Sequence, residues 1–446
     1  MTWVGKRVTV LGAGRSGLAA ARALRFLGAE VFVSEHAALS SWAQAELSQL
    51  EISWEEQGHT ERALSHAQLV VLSPGVPITA PIVRRAQELG IPVWGEVELA
   101  YRLCPSHKII AVTGTNGKST TTMLIEALLR HNGVQAISAG NIGIPWTARL
   151  PEITPETIVV LEVSSFQLES IESFRPAVAV LLNIAPNHLD RHHSFAEYLA
   201  VKCRIFENQT EQDTLVLPRD LPLPQRPRSR ILYYDDLIPQ LEALRVPRHL
   251  KGNAAAAWAA CQVFVPGIPP PSEELVRKVQ LPHRQEFVAE INGVKFYNDS
   301  KATTVHATLA ALHAFEGPLV LILGGRNKNL DFTPLAQVLR SKPICEILLI
   351  GEAAPQIARA LEAVQLTKFS VVRDFSEAVA RALRYPGATC LLSPACASFD
   401  QFSNYEERGQ AFRDAVLQAQ RSAQSDPDLA LARTVKLTEE DPLPRA

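Results

Sequence analysis

Apolar runs alternate with amphipathic stretches along most of the chain. Residues 7–36, RVTVLGAGRSGLAAARALRFLGAEVFVSEH, predict a strand, a glycine turn, a helix and a second strand. A second unit opens with the strand HKIIAVTG at 107–114, and further buried strands are predicted at 157–165 and 177–185. A third alternation begins with PLVLILGG at 318–325. This order of elements predicts an α/β fold with mostly parallel sheets.

Breaks in the pattern divide the chain into three predicted domains, in line with its 446 residues and a prior of about 150 residues per domain. A Rossmann-like first domain, 1–96, ends within GIPVWGEVELA. A central P-loop-type domain, 97–280, ends after the proline-rich VPGIPPPSEE, and a Rossmann-like α/β domain, 281–446, follows. The polar, proline-dotted tail from about residue 421 is predicted to be disordered.

Composition narrows the class of protein. The formal net charge is only -2, which argues against a nucleic-acid partner. The six cysteines form no CxxC pair and are too sparse for a disulfide framework, which favours a reducing compartment. No apolar run reaches the roughly 20 residues that span a bilayer, and the N-terminus enters a strand directly. We therefore expect a cytoplasmic small-molecule enzyme without a membrane partner. We also expect the protein to be a monomer.

The stretch AVTGTNGKSTTT, 111–122, predicts a phosphate loop between a strand and a helix. Its glycines enclose two residues, whereas the common loop GxxxxGK[ST] encloses four. Glycines let the backbone approach a phosphate, the helix N-terminus attracts it, and a lysine adds charge. Ser119 or Thr120 can bring a hydroxyl to Mg²⁺. The predicted loop residues are Gly114, Thr115, Asn116, Gly117, Lys118, Ser119 and Thr120. The alternative is a glycine turn without a ligand.

A second glycine motif, GAGRSG at 12–17, is followed about 20 residues later by Glu35 at a strand end. Taken alone, this pattern indicates a dinucleotide such as NAD. The glycines report a tight turn and a nearby phosphate but do not identify the ligand. A βα turn without any ligand is the alternative.

Two further residues are candidate metal ligands. Glu162 ends one apolar strand, and His188 follows the next one by a few residues. A carboxylate and an imidazole are plausible ligands for a divalent ion that bridges nucleotide and substrate. The alternatives are a solvated strand-end charge for Glu162 and a helix-cap or core histidine for His188. His188 and His192 have zinc-like spacing but lack a third ligand at motif spacing.

Four stretches together resemble one family: VTGTNGKSTTT, LEVSSFQLES, NDSKATT at 298–304 and LLSPACASFDQF at 391–402. They resemble the Mur ligases of peptidoglycan synthesis, and the last three resemble the members that join D-glutamate to UDP-N-acetylmuramoyl-L-alanine. The resemblance extends from the first glycine loop to about residue 420. It implies an ATP-dependent ligase that phosphorylates the substrate carboxylate, after which the amine of D-glutamate attacks the acyl phosphate.

The resemblance also implies roles for individual residues. Catalytic roles fall on Lys118, Glu162, His188, Lys202 and Lys301. One Mg²⁺ would lie near Ser119, and a second would be held by Glu162, His188 and Lys202 as a carbamate. Without the resemblance, Lys202 is interpreted as a surface helix lysine.

Substrate-binding positions follow from the same resemblance. Asn253, Arg284 and Asp299 match positions that hold ATP. The UDP end of the substrate matches Gly14, Arg15, Ser16, Glu35, Ser73, Pro74, Gly75 and Asn141. The D-glutamate positions match Lys301, Thr303, Lys328, Ser398 and Tyr405. Two departures from the family pattern are Asn187, where an acid is common, and Tyr405 as a variant aromatic residue.

Three alternatives from the sequence stay open. The first is an NAD-dependent oxidoreductase, for which only the first glycine motif argues. The second is a regulatory or non-catalytic nucleotide-binding protein. The third is a sister Mur or folylpolyglutamate-type ligase that uses another amino acid, and only the stretches of the third domain speak against it.

Overall fold

The computed structural model describes residues 2–185, 189–192, 194–246, 248–279, 282–312, 315, 317–327 and 330–425. The chain forms two compact units, Met1–Val279 and Gln280–Ala446. The predicted boundary near residue 96 falls inside the first unit and stays a prediction. The predicted fold class, α/β with mostly parallel sheets, is confirmed.

The first sheet has five parallel strands in the order β3-β2-β1-β4-β5. The strands are β1 Arg7–Leu11, β2 Glu30–Ser34, β3 Ser53–Glu55, β4 Leu69–Leu72 and β5 Val93–Gly95. The helices are α1 Arg15–Phe26, α2 Ser41–Gln49, α3 Pro81–Glu88 and α4 Glu96–Leu103, with a 3-10 turn at Glu61–Ala63. Helix α1 directly follows the first glycine motif, as the sequence predicts.

The second sheet has six parallel strands in the order β11-β10-β9-β6-β8-β7. The strands are β6 Ile109–Thr113, β7 Ala136–Gly140, β8 Ile158–Glu162, β9 Val178–Leu181, β10 Thr214–Leu217 and β11 Arg230–Tyr233. The helices are α5 Lys118–His131, α6 Trp146–Arg149, α7 Ser165–Leu168, α8 Leu189–His192, α9 Phe195–Cys203, α10 Arg248–Phe264 and α11 Glu273–Lys278. 3-10 segments span Leu150–Glu152, Arg204–Phe206 and Tyr234–Leu241.

Both faces of the second sheet are covered, which explains why its strands read as unbroken apolar runs. Along β6, Ile110 and Val112 pack into one hydrophobic cluster, while Ile109 and Ala111 pack into another on the opposite face. Polar residues therefore gather where the strands end. Since all six strands are parallel, these ends share one edge of the sheet.

The third sheet, in the second unit, has the order β12-β13-β17-β14-β15-β16. The strands are β12 Glu286–Ile291, β13 Val294–Asn298, β14 Leu319–Gly324, β15 Ile344–Ile350, β16 Phe369–Val371 and β17 Thr389–Leu392. The helices are α12 Val305–Leu312, α13 Thr333–Arg340, α14 Ala354–Ala363, α15 Phe375–Ala382 and α16 Tyr405–Ser425. Helix α16 ends at Ser425, and the predicted disorder of the tail stays a prediction. The tail from residue 426 lies outside the described residues.

The antiparallel pair β12 and β13 was not predicted from the sequence. The signal was present, because Asn292 and Gly293 connect the strands with positive φ values of 49° and 78°. Asn-Gly is the strongest short hairpin signal. In the part of the chain that the structure describes, no helix is both long and apolar enough to cross a membrane.

Candidate active site

The phosphate loop lies between β6 and α5, at the carboxyl edge of the second sheet. Gly117 adopts a left-handed conformation, with φ 84° and ψ -8°, immediately before the helix begins at Lys118. A Cβ atom at Gly117 would overlap the side-chain oxygen of Asn253. The loop therefore requires glycine here, and it brings Asn253, a predicted ATP residue, against its backbone. Ser119 and Thr120 are half-buried in the first turn of α5.

The ammonium group of Lys118 bends back over the loop. Its Nζ donates to the carbonyl oxygens of Gly114 and Thr115, both at 3.0 Å. This conformation places a positive charge on the loop that leads into the helix N-terminus. Both features attract a phosphate.

A neighbouring strand end holds the loop in shape. Asn183 follows β9, and its backbone oxygen accepts from Thr115 N at 2.8 Å. Its side chain accepts from Asn116 N at 2.9 Å and donates to Asn116 O at 3.0 Å. Sequence analysis missed Asn183, although its position just after an apolar strand was a usable signal.

Glu162 ends β8 and is only 2% exposed. Its Oε1 accepts from the Asn141 side chain at 2.6 Å. Its Oε2 is buried and has no hydrogen-bond partner among the described residues. A buried carboxylate oxygen without a partner is costly unless a cation or another donor meets it. The interpretation of Glu162 as a solvated strand-end charge is therefore wrong.

Lys202, on α9, is 2% exposed, so its interpretation as a surface lysine is also wrong. Its Nζ donates to Thr113 Oγ1 at 3.1 Å and lies 5.2 Å from the Tyr198 ring centroid. Burial lowers the pKa of Lys202 from 10.5 to about 7, helped by the charge of Lys118 and opposed by that of Glu162. The structure thus brings Lys118, Glu162 and Lys202 into one electrostatic neighbourhood.

His188 lies outside the described residues, so its predicted metal role stays a prediction. His192 is buried, and its Nε2 lies 3.0 Å from Ser165 Oγ, while its ring stacks on Phe166. It therefore behaves as a core histidine. Across the described parts of the chain, no three His, Cys, Asp or Glu side chains form a ready metal cluster.

The first glycine motif lies at the carboxyl edge of the first sheet. Gly14 precedes α1, and the Ala13 N–H donates to Glu35 Oε2 at 2.6 Å. A Cβ atom at Gly12 would lie 2.8 Å from Ser73 Cβ, so the turn packs directly against the SPG stretch. Arg15, Gly14 and Gly75 are exposed, and Ser16 and Pro74 are half-buried.

The glycine motif meets the segment that carries Asn141. Arg15 Nη1 donates to Gly143 O at 3.3 Å, two residues beyond Asn141. Asn141 N in turn donates to Glu162 O at 2.9 Å. The edges of the first and second sheets are therefore connected through one short segment, GNIG.

In the second unit, Asp299 follows β13 and is 4% exposed. It accepts from Ser393 Oγ at 2.8 Å and from Gln285 N at 3.2 Å. Burial raises the pKa of Asp299 from 3.8 to about 7, against these hydrogen bonds and the charge of Arg284. Arg284 itself is exposed.

The described residues that are predicted to bind D-glutamate lie on two loops and at the first residue of α16 in this unit. Lys301 is exposed, and its Nζ lies 5.5 Å from the Tyr405 ring centroid. Ser398 is buried and Thr303 is half-buried. Lys328 lies outside the described residues, so its predicted role stays a prediction.

Arg408, which sequence analysis missed, connects these elements. It is 2% exposed and donates to Ser300 Oγ at 2.9 Å, to Ser300 O at 2.8 Å and to Cys396 O at 3.0 Å. Burial lowers the pKa of Arg408 to about 10. One guanidinium thus joins α16 to the NDSKATT and SPACAS stretches.

Family models match three successive parts of the chain. The Mur ligase MurD-like N-terminal domain matches residues 6–95, the Mur ligase middle domain matches 112–234, and the Mur ligase glutamate ligase domain matches 283–396.

Curated relatives named UDP-N-acetylmuramoylalanine–D-glutamate ligase are similar over nearly the whole chain. The protein from Chlorobium limicola is 38% identical, covering 93% of this chain and 98% of that protein. The protein from Pelotomaculum thermopropionicum is 40% identical, covering 92% and 97% respectively. The protein from Acidobacterium capsulatum is also 40% identical, covering 93% and 96%.

Solved structures show a similar fold. MurF ligase from Thermotoga maritima in complex with ADP has a TM-score of 0.52 at 14% identity, covering 87% of this chain and 96% of that one. MurF from Acinetobacter baumannii has a TM-score of 0.50 at 17% identity, covering 92% and 93%. At these identities the likeness concerns the fold alone.

Proposed function

Because this chain belongs to the Mur ligase family, we propose that it joins D-glutamate to UDP-N-acetylmuramoyl-L-alanine with ATP, in cytoplasmic peptidoglycan precursor synthesis. The choice of amino acid is supported by the names of relatives at 38–40% identity. One structural observation carries the chemistry: Lys118, the half-satisfied Glu162 and the buried Lys202 lie together where the strands of the second sheet end.

The proposed reaction has two bond-forming steps. A substrate carboxylate oxygen attacks the γ-phosphorus of ATP, and the bond from this phosphorus to the bridging oxygen of ADP breaks. The neutral amine of D-glutamate then attacks the acyl carbon, the bond to the phosphate oxygen breaks, and inorganic phosphate and one proton leave. Anions meet anions in the first step, so positioning and charge neutralisation must lower the barrier.

Lys118 supplies part of that neutralisation. Its ammonium already faces the loop interior, where it donates to two loop carbonyl oxygens. A bound phosphate would replace these weak neutral partners with a charged acceptor, which makes stronger hydrogen bonds. Lys118 therefore acts as a positive group on the transferred phosphate.

The residues present fit a divalent cation such as Mg²⁺. The unpartnered Oε2 of Glu162 is a hard oxygen ligand, and the half-buried Ser119 is positioned in the first turn after the loop. Mg²⁺ would supply positive charge to the phosphate oxygens. Within the chain, Asn141 orients the Glu162 carboxylate by its hydrogen bond to Oε1.

Lys202 would join that ligand set as a carbamate. Its neutral nitrogen attacks the carbon of CO₂, one C–O π pair moves onto oxygen, and the nitrogen loses a proton to solvent. The low pKa of about 7 supports this step, because half of the amine is neutral near pH 7. The product replaces a buried cation by an anion, which is the charge that a Mg²⁺ ligand needs.

The first sheet would hold the UDP end of the substrate. The glycine motif gives a helix N-terminus for a diphosphate, and Glu35 fixes the turn by accepting from Ala13 N. Arg15 connects this motif to the Asn141 segment and so to Glu162. This continuity supports one extended substrate on the first unit, and it favours a sugar nucleotide over NAD.

The second unit would hold D-glutamate and carries two of the proposed ATP residues. Lys301 lies beside Tyr405, and with Lys328 it would face a dianionic amino acid. Asp299, Arg284 and Asn253 are the proposed ATP residues outside the loop. The expected monomeric state and cytoplasmic location remain predictions.

A panel assay tests the proposal. ADP release is measured with UDP-N-acetylmuramoyl-L-alanine, ATP, Mg²⁺ and one candidate amino acid at a time, with Lys118→Ala as the inactive control. We expect ADP release with D-glutamate and with none of the other amino acids. ADP release with a different amino acid would show that the protein is a sister ligase. Reduction of added NAD without ADP release would favour the oxidoreductase alternative.

A further inference from the structure

Arg204, immediately after α9, has every N–H donor of its guanidinium engaged. Nη1 donates to Leu168 O and Glu169 O, both at 2.7 Å. Nη2 donates to Ile171 O and to Glu207, both at 2.8 Å, and Nε donates to Glu207 at 2.9 Å. A guanidinium has five N–H donors in a fixed planar fork, and all five are used here.

The carbonyl oxygens that Arg204 contacts lie at the end of α7, at Leu168, and in the turn that follows it, at Glu169 and Ile171. This helix has only four residues, Ser165–Leu168, and begins with a capping box formed by Ser164 and Gln167. The last carbonyls of any helix lack internal partners. Arg204 supplies those partners, so α7 is held at its start by its own sequence and at its end by a residue of another element.

Of the two elements that Arg204 joins, α9 carries one proposed metal ligand, and α7 closely follows the strand that ends with another. Helix α7 begins three residues after Glu162, and Lys202 lies two residues before Arg204. Lys202 is buried and reaches Thr113 at 3.1 Å from α9. A second pair fixes the same turn, because Arg191 makes a two-pronged contact with Glu169 at 3.1 and 2.5 Å.

We propose that Arg204 is a positioning residue that locks the end of α9 onto the α7 turn and so sets Lys202 opposite Glu162. The significance for catalysis rests on the proposed function, whereas the placement of Lys202 does not. Small shifts in such placement are costly, since a displacement of about 1 Å can cost about 100-fold in rate.

Lysine cannot replace this arginine. Its ammonium is a compact point charge with three donors, and it has no planar fork to span three carbonyl oxygens and a carboxylate. Arg204→Lys therefore keeps the charge and removes the geometry. A larger truncation is unnecessary, so the risk of a misfolded variant is small.

The matched control is Arg175→Lys. Arg175 also contacts a carboxylate with two nitrogens, Nε at 2.8 Å and Nη2 at 3.3 Å from Asp213, and it also donates to Thr210. It is similarly part-exposed, at 38% against 29% for Arg204. The hydrogen bonds of Arg175 in the described structure go to Asp213 and Thr210, and none goes to α7 or α9. The variant therefore reports the general cost of replacing a two-nitrogen guanidinium contact.

Two measurements on the full chain test the proposal. The first is the rate at which acetic anhydride labels Lys202 in CO₂-free buffer, read by peptide mass spectrometry. The second is kcat and KM for ATP-dependent ligation. For Arg204→Lys we expect the labelling rate of Lys202 to differ at least 5-fold from that of the wild type, because displacement changes both the exposure and the neutral fraction of the amine. We expect kcat to fall by about 10- to 100-fold and KM values to stay within 2-fold. For Arg175→Lys we expect wild-type labelling and kcat, even where its melting temperature falls equally.

Either of two results would overturn the proposal: wild-type labelling and kcat in Arg204→Lys, or equal changes in both variants. A wild-type chain without D-glutamate ligation would instead contradict the proposed function. The labelling of Lys202 would still decide the role of Arg204 in that case.

Discussion

Replacing Lys202 with methionine should abolish ligation and, at neutral pH, stabilise the unit that contains it. Methionine has a similar length and fills irregular apolar space without a charge. The wild-type amine is 2% exposed, has Thr113 as a hydrogen-bond partner and feels the repulsion of Lys118. A protein keeps a destabilising side chain such as this one where its function requires it.

The magnitude follows from the pKa of Lys202, which burial lowers from 10.5 to about 7. Each pKa unit corresponds to about 1.4 kcal/mol, so burying this amine costs up to about 4 kcal/mol at pH 7. Between these two pKa values the unfolded chain keeps a proton that the folded chain has released. The free energy of unfolding of the wild type should therefore rise as pH increases from about 7 towards 10.5, and it should be level below pH 7.

Urea unfolding followed by tryptophan fluorescence measures this effect, because all six tryptophans lie within Met1–Val279. The buffer is free of CO₂, so that the amine stays unmodified. Between pH 7 and 9, Lys202→Met should lose the pH slope and unfold at higher urea at pH 7. The control is Lys108→Met. The Lys108 side chain is 41% exposed and pairs with Glu156, so this variant should keep the pH slope of the wild type. A less stable Lys202→Met variant at pH 7, or a wild type without the slope, would refute the reasoning.

Further outcomes are expected at other sites. Lys118→Ala should release no ADP and keep the wild-type circular dichroism spectrum, since it removes a charge and no core group; substantial retained activity would contradict the loop assignment. Gly117→Ala should raise KM for ATP, because the new Cβ overlaps Asn253 and φ is 84°, and an unchanged KM would argue against this contact. UDP should compete with the substrate for binding at the first glycine motif, and Glu35→Ala should lower the affinity for UDP, both measured by calorimetry. Tight binding of NAD at this motif would contradict the assignment. The pKa of Asp299 is raised to about 7, so the wild-type second unit should lose stability as pH rises from about 4 to 7, measured by hydrogen exchange of β13. Asp299→Asn should remove that loss, and an unchanged pH profile would argue against the burial account.

Contiguous patterns were sufficient for much of the fold. The apolar runs of the second sheet predicted buried parallel strands because both faces of the sheet are covered, as the two clusters on either side of β6 show. The phosphate loop was also predictable, since its glycines, lysine and hydroxyls are neighbours in the chain. The β12–β13 hairpin shows the limit of reading apolar runs alone, because its signal was the Asn292-Gly293 turn.

The candidate site was only partly predictable. Glu162 could be found from its place at a strand end, but its buried, unpartnered oxygen could not. Lys202 was identified by resemblance alone, and its own helix marks it as an ordinary surface residue. Asn183 and Arg204 were missed because their partners, the loop backbone and the α7 carbonyls, are distant in sequence.

The sequence by itself determined which segments become strands and helices, and where glycine allows a backbone to approach a phosphate. These properties depend on residues that are close along the chain, through side-chain periodicity and local backbone freedom. Only the tertiary structure decided which charges lose water and which carbonyl oxygens receive a guanidinium. Lys202 shows the difference most clearly: its pKa of about 7 comes from burial and from the charges of Lys118 and Glu162, which folding brings together from 84 and 40 positions away along the chain.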